Sequence, residues 1–277
     1  MGRDRNKEDK DFEELTSIAP ANSNEHVNDI KKIIKHLISK DTKIIAKNES
    51  QKKLIQSIKN NEITICAGPA GTGKTFVSLA LALSLLRKDS NRFKTIYLVK
   101  SVTTLKGEEV GFIKGDLKDK IDPAMLSYYI NIEKLILKNS FTSLVAQDII
   151  RPFPLAYIRG VSLDDCIIIA DEMQNVTFDN SRTLLTRIGN NCKLIVLGDI
   201  NQVDMKNKNE SSLDVLLNMF NDVDKIGAIR MSDKDKNIRN PLINIIEEKY
   251  KEYISLNGKN NGNGKSYKDL LKQQLND

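Results

Sequence analysis

Four short apolar runs mark the chain: ITICA (63–67), TIYLVK (95–100), CIIIA (166–170) and LIVLG (194–198). Near-continuous apolar runs of this length predict strands buried on both faces, as in a parallel sheet. KIGAIRM (225–231) is a weaker fifth candidate. Helical periodicity separates the runs, over 74–88, 116–138, 178–188 and 211–221. Alternation of this kind predicts an α/β fold with a mostly parallel central sheet.

The flanks read differently. Residues 1–25 are polar and read as a mobile arm. Val27, Ile30, Ile33, Ile34, Leu37 and Ile38 recur at helical spacing and predict an amphipathic helix over 27–40. ESQKKLIQSIK (49–59) predicts a second helix. NGKNNGNGKS (257–266) is an Asn/Gly-rich linker, and the eleven residues after it form a short helix or stay loose. The expected organisation is an arm and helix over 1–44, one α/β domain over 45–256, and a linker with tail over 257–277.

Composition narrows the chemistry. Of 277 residues, 40% are hydrophobic and 29% charged, the balance of a soluble globular protein. No run of 18 apolar residues suggests a membrane span. The charged N-terminal stretch has no apolar core of a secretory leader, so a cytoplasmic location is expected, in a bacterial cell or a phage-infected host. Cys66, Cys166 and Cys192 lie apart in apolar surroundings and read as inert, reduced core thiols. The two histidines, His26 and His36, sit near the N-terminus. Chemistry therefore falls to carboxylates, Lys, Arg, hydroxyls and backbone amides. The net charge is +6, and residues 51–100 alone carry nine basic against two acidic side chains. A local basic excess points to a phosphate-bearing partner.

One motif carries a specific mechanism. ITICA runs into Gly68-Pro69-Ala70-Gly71-Thr72-Gly73-Lys74-Thr75, followed by FVSLALALSLL. This is GxxxxGK[ST] between a strand and a helix. Its glycines let backbone N–H groups curl around a β-phosphate, and the helix N-terminus adds a favourable dipole. Lys74 is expected to reach the β- and γ-phosphates and Thr75 to ligate Mg²⁺, which makes Mg-ATP the expected ligand.

Two further strand ends are polar. CIIIADE places Asp171 and Glu172 after a buried strand. Asp171 is expected to hold Mg²⁺ and Glu172 to polarise an attacking water. Neighbouring strand side chains point to opposite faces, so both can serve only if the chain turns just after the strand. LIVLGDINQ brings Asp199 and Gln202 to another strand end, where either can sense a γ-phosphate or orient the water.

These residues resemble the PhoH-like ATPases, which look related to the core of superfamily 1 helicases. The matching segments are GPAGTGKT (68–75), GEEVGFIKGDLKDKIDP (107–123), PLAYIRG (154–160), IIIADEMQN (167–175), LLTRIG (184–189), GDINQVD (198–204) and IRNPLI (238–243). The resemblance covers about residues 45–250. It implies a three-layer RecA-like P-loop NTPase, Mg-ATP hydrolysis, ring-shaped homo-oligomers such as a hexamer, and a role on RNA or single-stranded DNA. It also suggests that Gln51 reads adenine. Arg239, in IRNP, resembles a finger arginine on γ-phosphate, with Arg159 and Arg187 as other candidates for action in trans. Where the family carries Arg-Pro after the second strand, this chain has Lys100-Ser101. Lys keeps the charge without the planar fork.

The basic block, Lys52, Lys53, Lys59, Arg87, Lys88, Arg92, Lys94 and Lys100, supplies a candidate surface for a nucleic-acid backbone. Trp is absent and aromatic residues make up 5%, so base-stacking platforms are not evident. The leading expectation is a Mg-dependent ATP hydrolase acting with RNA or single-stranded DNA. One alternative is a P-loop small-molecule kinase of nucleoside type, because DExQ also resembles thymidine kinases, although their CxxC zinc ribbon is missing. The other is a nucleotide-gated scaffold with little turnover.

Overall fold

The computed structural model describes residues 31–36, 38, 44–101, 125–136, 140–205 and 207–232, with 242, 245, 246, 248–250, 252 and 253 beyond them. The polar arm, segment 107–123, Arg239, the linker and the tail lie outside the described residues.

Helix α1 spans Glu49–Asn60 and is started by Asn48, whose side chain accepts from the Gln51 N–H. It leads into β1 (Ile63–Ala67), all of it buried. Helix α2 (Lys74–Lys88) is rich in Leu and Ala, strong helix formers, and ends on Arg87 and Lys88, which suit its negative dipole end. There follow β2 (Thr95–Lys100), α3 (Leu126–Glu133), α4 (Ser140–Ala146), β3 (Ile150–Pro152), β4 (Cys166–Asp171), α5 (Phe178–Leu185), β5 (Lys193–Gly198), α6 (Leu213–Met219) and β6 (Ile226–Arg230).

The strands form one sheet in the order β3-β2-β4-β5-β1-β6. Every pair is parallel. Side chains alternate between two apolar layers. Ile167 and Ile169 of β4 join Leu54, Leu83 and Tyr128 on one face. Cys166, Ile168 and Ala170 join Leu184, Leu213 and Leu216 on the other. Helices thus cover both faces, giving the expected three-layer α/β fold of RecA-like P-loop type. Burying one such Leu contributes about 1.5–3 kcal/mol.

Two elements were absent from the sequence pattern, α4 and the three-residue strand β3. Strand β3 pairs only with β2, and Pro152, which lacks an N–H, is tolerated at that edge. Within the stretch expected as helix over 116–138, the described part is helical over Leu126–Glu133. In the expected 27–40 helix, residues 31–36 are helical, and Ile34 and Ile38 belong to the core.

Register places the site. Ala67 lies opposite Gly198, and Lys100 opposite Asp171. The carboxyl ends of β1, β2, β4 and β5 therefore share one edge. Strand β5 lies between the P-loop strand and the Asp171 strand, so Asp199 emerges between them.

Candidate nucleotide-binding site

The P-loop turns directly off β1. Gly68 donates its N–H to the Gly198 carbonyl at 3.1 Å. Gly71 and Gly73 have φ of 78° and 84°, a left-handed conformation that favours glycine. The Thr72 hydroxyl donates to the Pro69 carbonyl at 2.9 Å and closes the loop.

Lys74 opens α2 and is buried. Its Nζ donates to the carbonyls of Gly68 (2.5 Å) and Pro69 (2.8 Å), across the mouth of the loop. Burial lowers its pKa, while the carboxylates of Asp199, Asp171 and Glu172 act in the opposite direction. Burial chiefly, opposed by Lys74 and helped by Asp171, pushes the neighbouring Cys66 thiol up to about 12, so it stays protonated.

Asp171 and Thr75 meet. The Thr75 hydroxyl donates to Asp171 Oδ2 at 2.7 Å, and Asp171 Oδ1 accepts the Glu172 N–H at 2.9 Å. Two hard oxygen donors side by side suit Mg²⁺, which takes its remaining positions from substrate phosphate and water. Among the described residues no group of three or more His, Cys, Asp or Glu side chains is placed to hold a metal ion.

The chain turns where the carboxylate pair requires it. Glu172 has φ 58° and ψ 31°, a left-handed conformation costing a non-glycine residue about 1–3 kcal/mol. The turn brings Glu172 to the same cavity as Asp171. Gln174 holds it there. Its Nε2 donates to Glu172 Oε2 at 2.7 Å, and its Oε1 accepts the Asp199 N–H at 3.1 Å. Gln174 is buried, and it fits because residue 198 is glycine. A Cβ there would sit 2.6 Å from Gln174 Oε1. The sequence held Gln174 in view within DEMQN but gave it no role; its place two residues after Glu172 was the available signal.

The cavity has a volume of about 730 Å³ and is lined by the P-loop, Gln51, Asp171, Glu172, Asp199 and Gln202. Gln51 is 2% exposed. Its Nε2 donates to the Thr72 carbonyl and its Oε1 accepts the Lys47 N–H, both at 2.9 Å. It therefore braces the P-loop as well as lining the cavity. Asp199 accepts the Asn201 N–H on Oδ1 at 2.9 Å and the Gln202 N–H on its carbonyl at 3.0 Å.

The arginines separate. Arg159 lines a second cavity of about 440 Å³ with Lys100, Ser101, Asn180 and Thr183. Arg187 follows α5, and its carbonyl accepts from Leu163 ahead of β4, so it lies at the opposite edge of the sheet. The basic block also divides. Lys59 lies in the last turn of α1 ahead of β1, Arg87 and Lys88 end α2, and Arg92 and Lys94 lie between α2 and β2, all at the amino edge of the strands. Lys94 pairs with Asp165 at 2.5 Å. Helix–strand reversal thus carries most of this charge to the edge of the sheet away from the P-loop. All three cysteines are free and buried, as expected, but Cys166 and Cys192 do not lie apart: their sulfurs are 3.1 Å from each other.

A family model described as PhoH-like protein matches residues 43–251. The chain belongs to the PhoH-like family. It is 35% identical over 206 residues to a PhoH-like protein of Synechocystis sp., covering 74% of this chain and 61% of that protein. It is 34% identical over 212 residues to a PhoH-like protein of Bacillus subtilis, covering 76% and 65%. With Protein PhoH of Escherichia coli K12 it shares 32% over 206 residues, covering 71% and 56%. The chain therefore spans about three fifths of the length of these PhoH-like relatives. Like the family, it is a P-loop protein with a nucleotide-binding cradle. Among the described residues no helix is long and apolar enough to cross a membrane.

Proposed function

We propose that this chain is a Mg-dependent ATP hydrolase that couples hydrolysis to binding or remodelling RNA or single-stranded DNA in the cytoplasm. The observation that carries the hydrolase reading is the 2.7 Å contact between Thr75 and Asp171, beside Lys74 and Glu172 in one cavity.

In this reading Lys74 exchanges its two carbonyl partners for β- and γ-phosphate oxygens, while the P-loop amides hold the β-phosphate. Thr75 and Asp171 would hold Mg²⁺, which when bound offsets phosphate charge and orients the γ-phosphate. Glu172, fixed by Gln174, accepts a proton from water as the water oxygen attacks the γ-phosphorus, and ADP leaves with the bridging oxygen. Asp199 and Gln202 face the γ-phosphate. Gln51 retains one amide N–H and one oxygen lone pair, enough for adenine N7 and N6.

The second cavity favours the nucleic-acid reading. Lys100 and Arg159 line it at the carboxyl edge of the sheet, with polar Ser101, Asn180 and Thr183, a set suited to phosphate oxygens. A homo-oligomeric ring would let Arg239 reach a neighbour's ATP.

Phosphate release, measured with and without RNA or single-stranded DNA on protein of known oligomeric state, tests all three parts. Lys74→Ala should abolish release. Polynucleotide should raise it, and Arg159→Glu should remove the rise while leaving basal release. Mixed Arg239 and Glu172 variants should regain activity if the arginine acts in trans. Basal release that survives Lys74→Ala sinks the hydrolase reading, and no response to either polynucleotide sinks the coupling.

A further inference from the structure

Cys166 opens β4 and Cys192 immediately precedes β5. The register pairs Ile167 with Lys193, so the two cysteines face each other at the amino edge of the sheet. Their sulfurs are 3.1 Å apart, and the Cys192 thiol lies against the Leu163 carbonyl.

The backbone around them is tightly laced. Leu163 donates to the Arg187 carbonyl at 3.0 Å, Gly189 to Leu163 at 2.9 Å, and Asp165 to Asn190 at 2.9 Å. Asp164 Oδ1 accepts the Asn190 N–H at 2.6 Å, and Asp165 Oδ1 accepts from Asn191 Nδ2 at 2.9 Å. Residue 189 must be glycine for this approach, because a Cβ there would meet Asp164 Oδ1 at 2.1 Å. The two segments are thus held together independently of the thiols. Neighbouring parallel strands lie ~4.8 Å apart, within the ~4.4–6.8 Å Cα separation that a disulfide spans.

The two sulfurs are not equivalent. Cys192 is 6% exposed and Cys166 is fully buried. The hydrogen bond between the two sulfurs, helped by backbone N–H groups and opposed by burial, holds the Cys192 thiol below the usual thiol range. The same pairing, with burial, pushes Cys166 well above the usual thiol range. The thiolate is the reactive form, so the sulfur that ionises is also the one a small oxidant can reach.

We propose that Cys166 and Cys192 are a dithiol site that a small peroxide converts reversibly into an inter-strand disulfide. The Cys192 thiolate attacks one peroxide oxygen. An S–O bond forms, the O–O bond breaks, and the departing oxygen leaves as water after taking a proton. The Cys166 sulfur then attacks the Cys192 sulfenic acid. An S–S bond forms, the S–O bond breaks, and the Cys166 proton leaves with the hydroxyl as a second water. The thiols lose two electrons and one peroxide gains them. The bond would tie the starts of β4 and β5 and close the loop that carries Asp171, Glu172 and Gln174. It lies one strand length, ~20 Å, from those carboxylates. It therefore does not depend on the nucleotide reading.

The test exposes the full chain to hydrogen peroxide, blocks remaining thiols with N-ethylmaleimide, and maps tryptic peptides by mass spectrometry. Cleavage after Arg182 and Arg187 puts the two cysteines on different peptides. Free thiols should fall from three to one, the Cys166 and Cys192 peptides should be linked, and dithiothreitol should restore all three. Cys66→Ser should crosslink like the wild type, and Cys192→Ser should not crosslink at all. Should the serine at 192 unfold the chain, the wild type and Cys66→Ser decide the matter alone. Three surviving thiols, a bond to Cys66 or a bond between chains each overturn the proposal.

Discussion

The Thr75 hydroxyl donates to Asp171 Oδ2 at 2.7 Å, although 96 residues separate the two in sequence. Thr75 opens α2 just beyond β1 and Asp171 ends β4, and these two strands are not neighbours, because β5 runs between them. The contact exists because the P-loop leans across the end of β5, where Gly68 donates to the Gly198 carbonyl. A hydroxyl and a carboxylate held this way can act on one ion together.

That relationship predicts non-additive loss. Thr75→Ala and Asp171→Asn should each lower ATP turnover and raise the Mg²⁺ concentration needed for half-maximal rate. The double variant should be little worse than the poorer single, with a coupling of about 0.5–3 kcal/mol. Turnover against Mg²⁺ concentration for the four proteins gives the cycle. Fully additive losses would mean that the two oxygens serve different functions.

Glu172 and Gln174 should separate in their kinetics. Glu172→Gln removes the proton acceptor but keeps the shape, so ATP affinity should persist while turnover falls by about 10²–10⁴. Gln174→Ala leaves the carboxylate in place but unheld. Its kcat should fall with KM near the wild-type value, because the Gln174 amide hydrogen-bonds the Glu172 carboxylate and the Asp199 N–H. A rise in KM with unchanged kcat would contradict the positioning role.

Much of this geometry was legible before the fold. The four principal strands are buried on both faces or nearly so, and such strands read as unbroken apolar runs. The P-loop announces itself because its glycines answer a local backbone demand. Strand β3 could not be read, since three residues ending in Pro152 carry no period. The Cys166–Cys192 contact was hidden because register belongs to the sheet and not to either strand. A charge sum along the chain also leaves each residue's place in the fold unread. Lys59 and Lys94 look close to Lys74 in sequence, yet an entire helix or strand carries each to the opposite edge. Gln51 reads as a base-contacting side chain, while its amide also braces the loop at Thr72.

Gly198 is tightly enclosed. An added Cβ would lie 2.6 Å from both Gln174 Oε1 and Leu213 Cδ2 and 3.1 Å from the Gln174 N–H nitrogen. The backbone partner cannot yield as a flexible side chain could. Gly198→Ala should therefore destabilise the fold by about 1–3 kcal/mol. It should also displace Gln174 and lower kcat. Urea unfolding and steady-state turnover check the two effects. A stable variant with normal turnover would show that Gln174 has room to move.

Asp165 should give the acid limb of stability a visible slope. Its carboxylate accepts from Lys94 and from Asn191. The Lys94 hydrogen bond first, and Asn191 second, hold its pKa below the ordinary 3.8. In the unfolded chain the carboxylate takes its proton near that ordinary value, whereas the folded protein resists to lower pH. The contribution is thus complete above about pH 4 and is lost as pH falls through the depressed folded value. The pair is partly exposed, so it is worth no more than about 1 kcal/mol. Asp165→Asn suits the test, because residue 165 has φ 51° and Asn tolerates that conformation. The variant should be less stable than the wild type at pH 7 by urea unfolding in low salt. Below the folded pKa of Asp165 that difference should shrink, since the wild-type carboxyl is then neutral as well. A difference that stays constant from pH 7 down to pH 2 would assign it to lost packing rather than to charge.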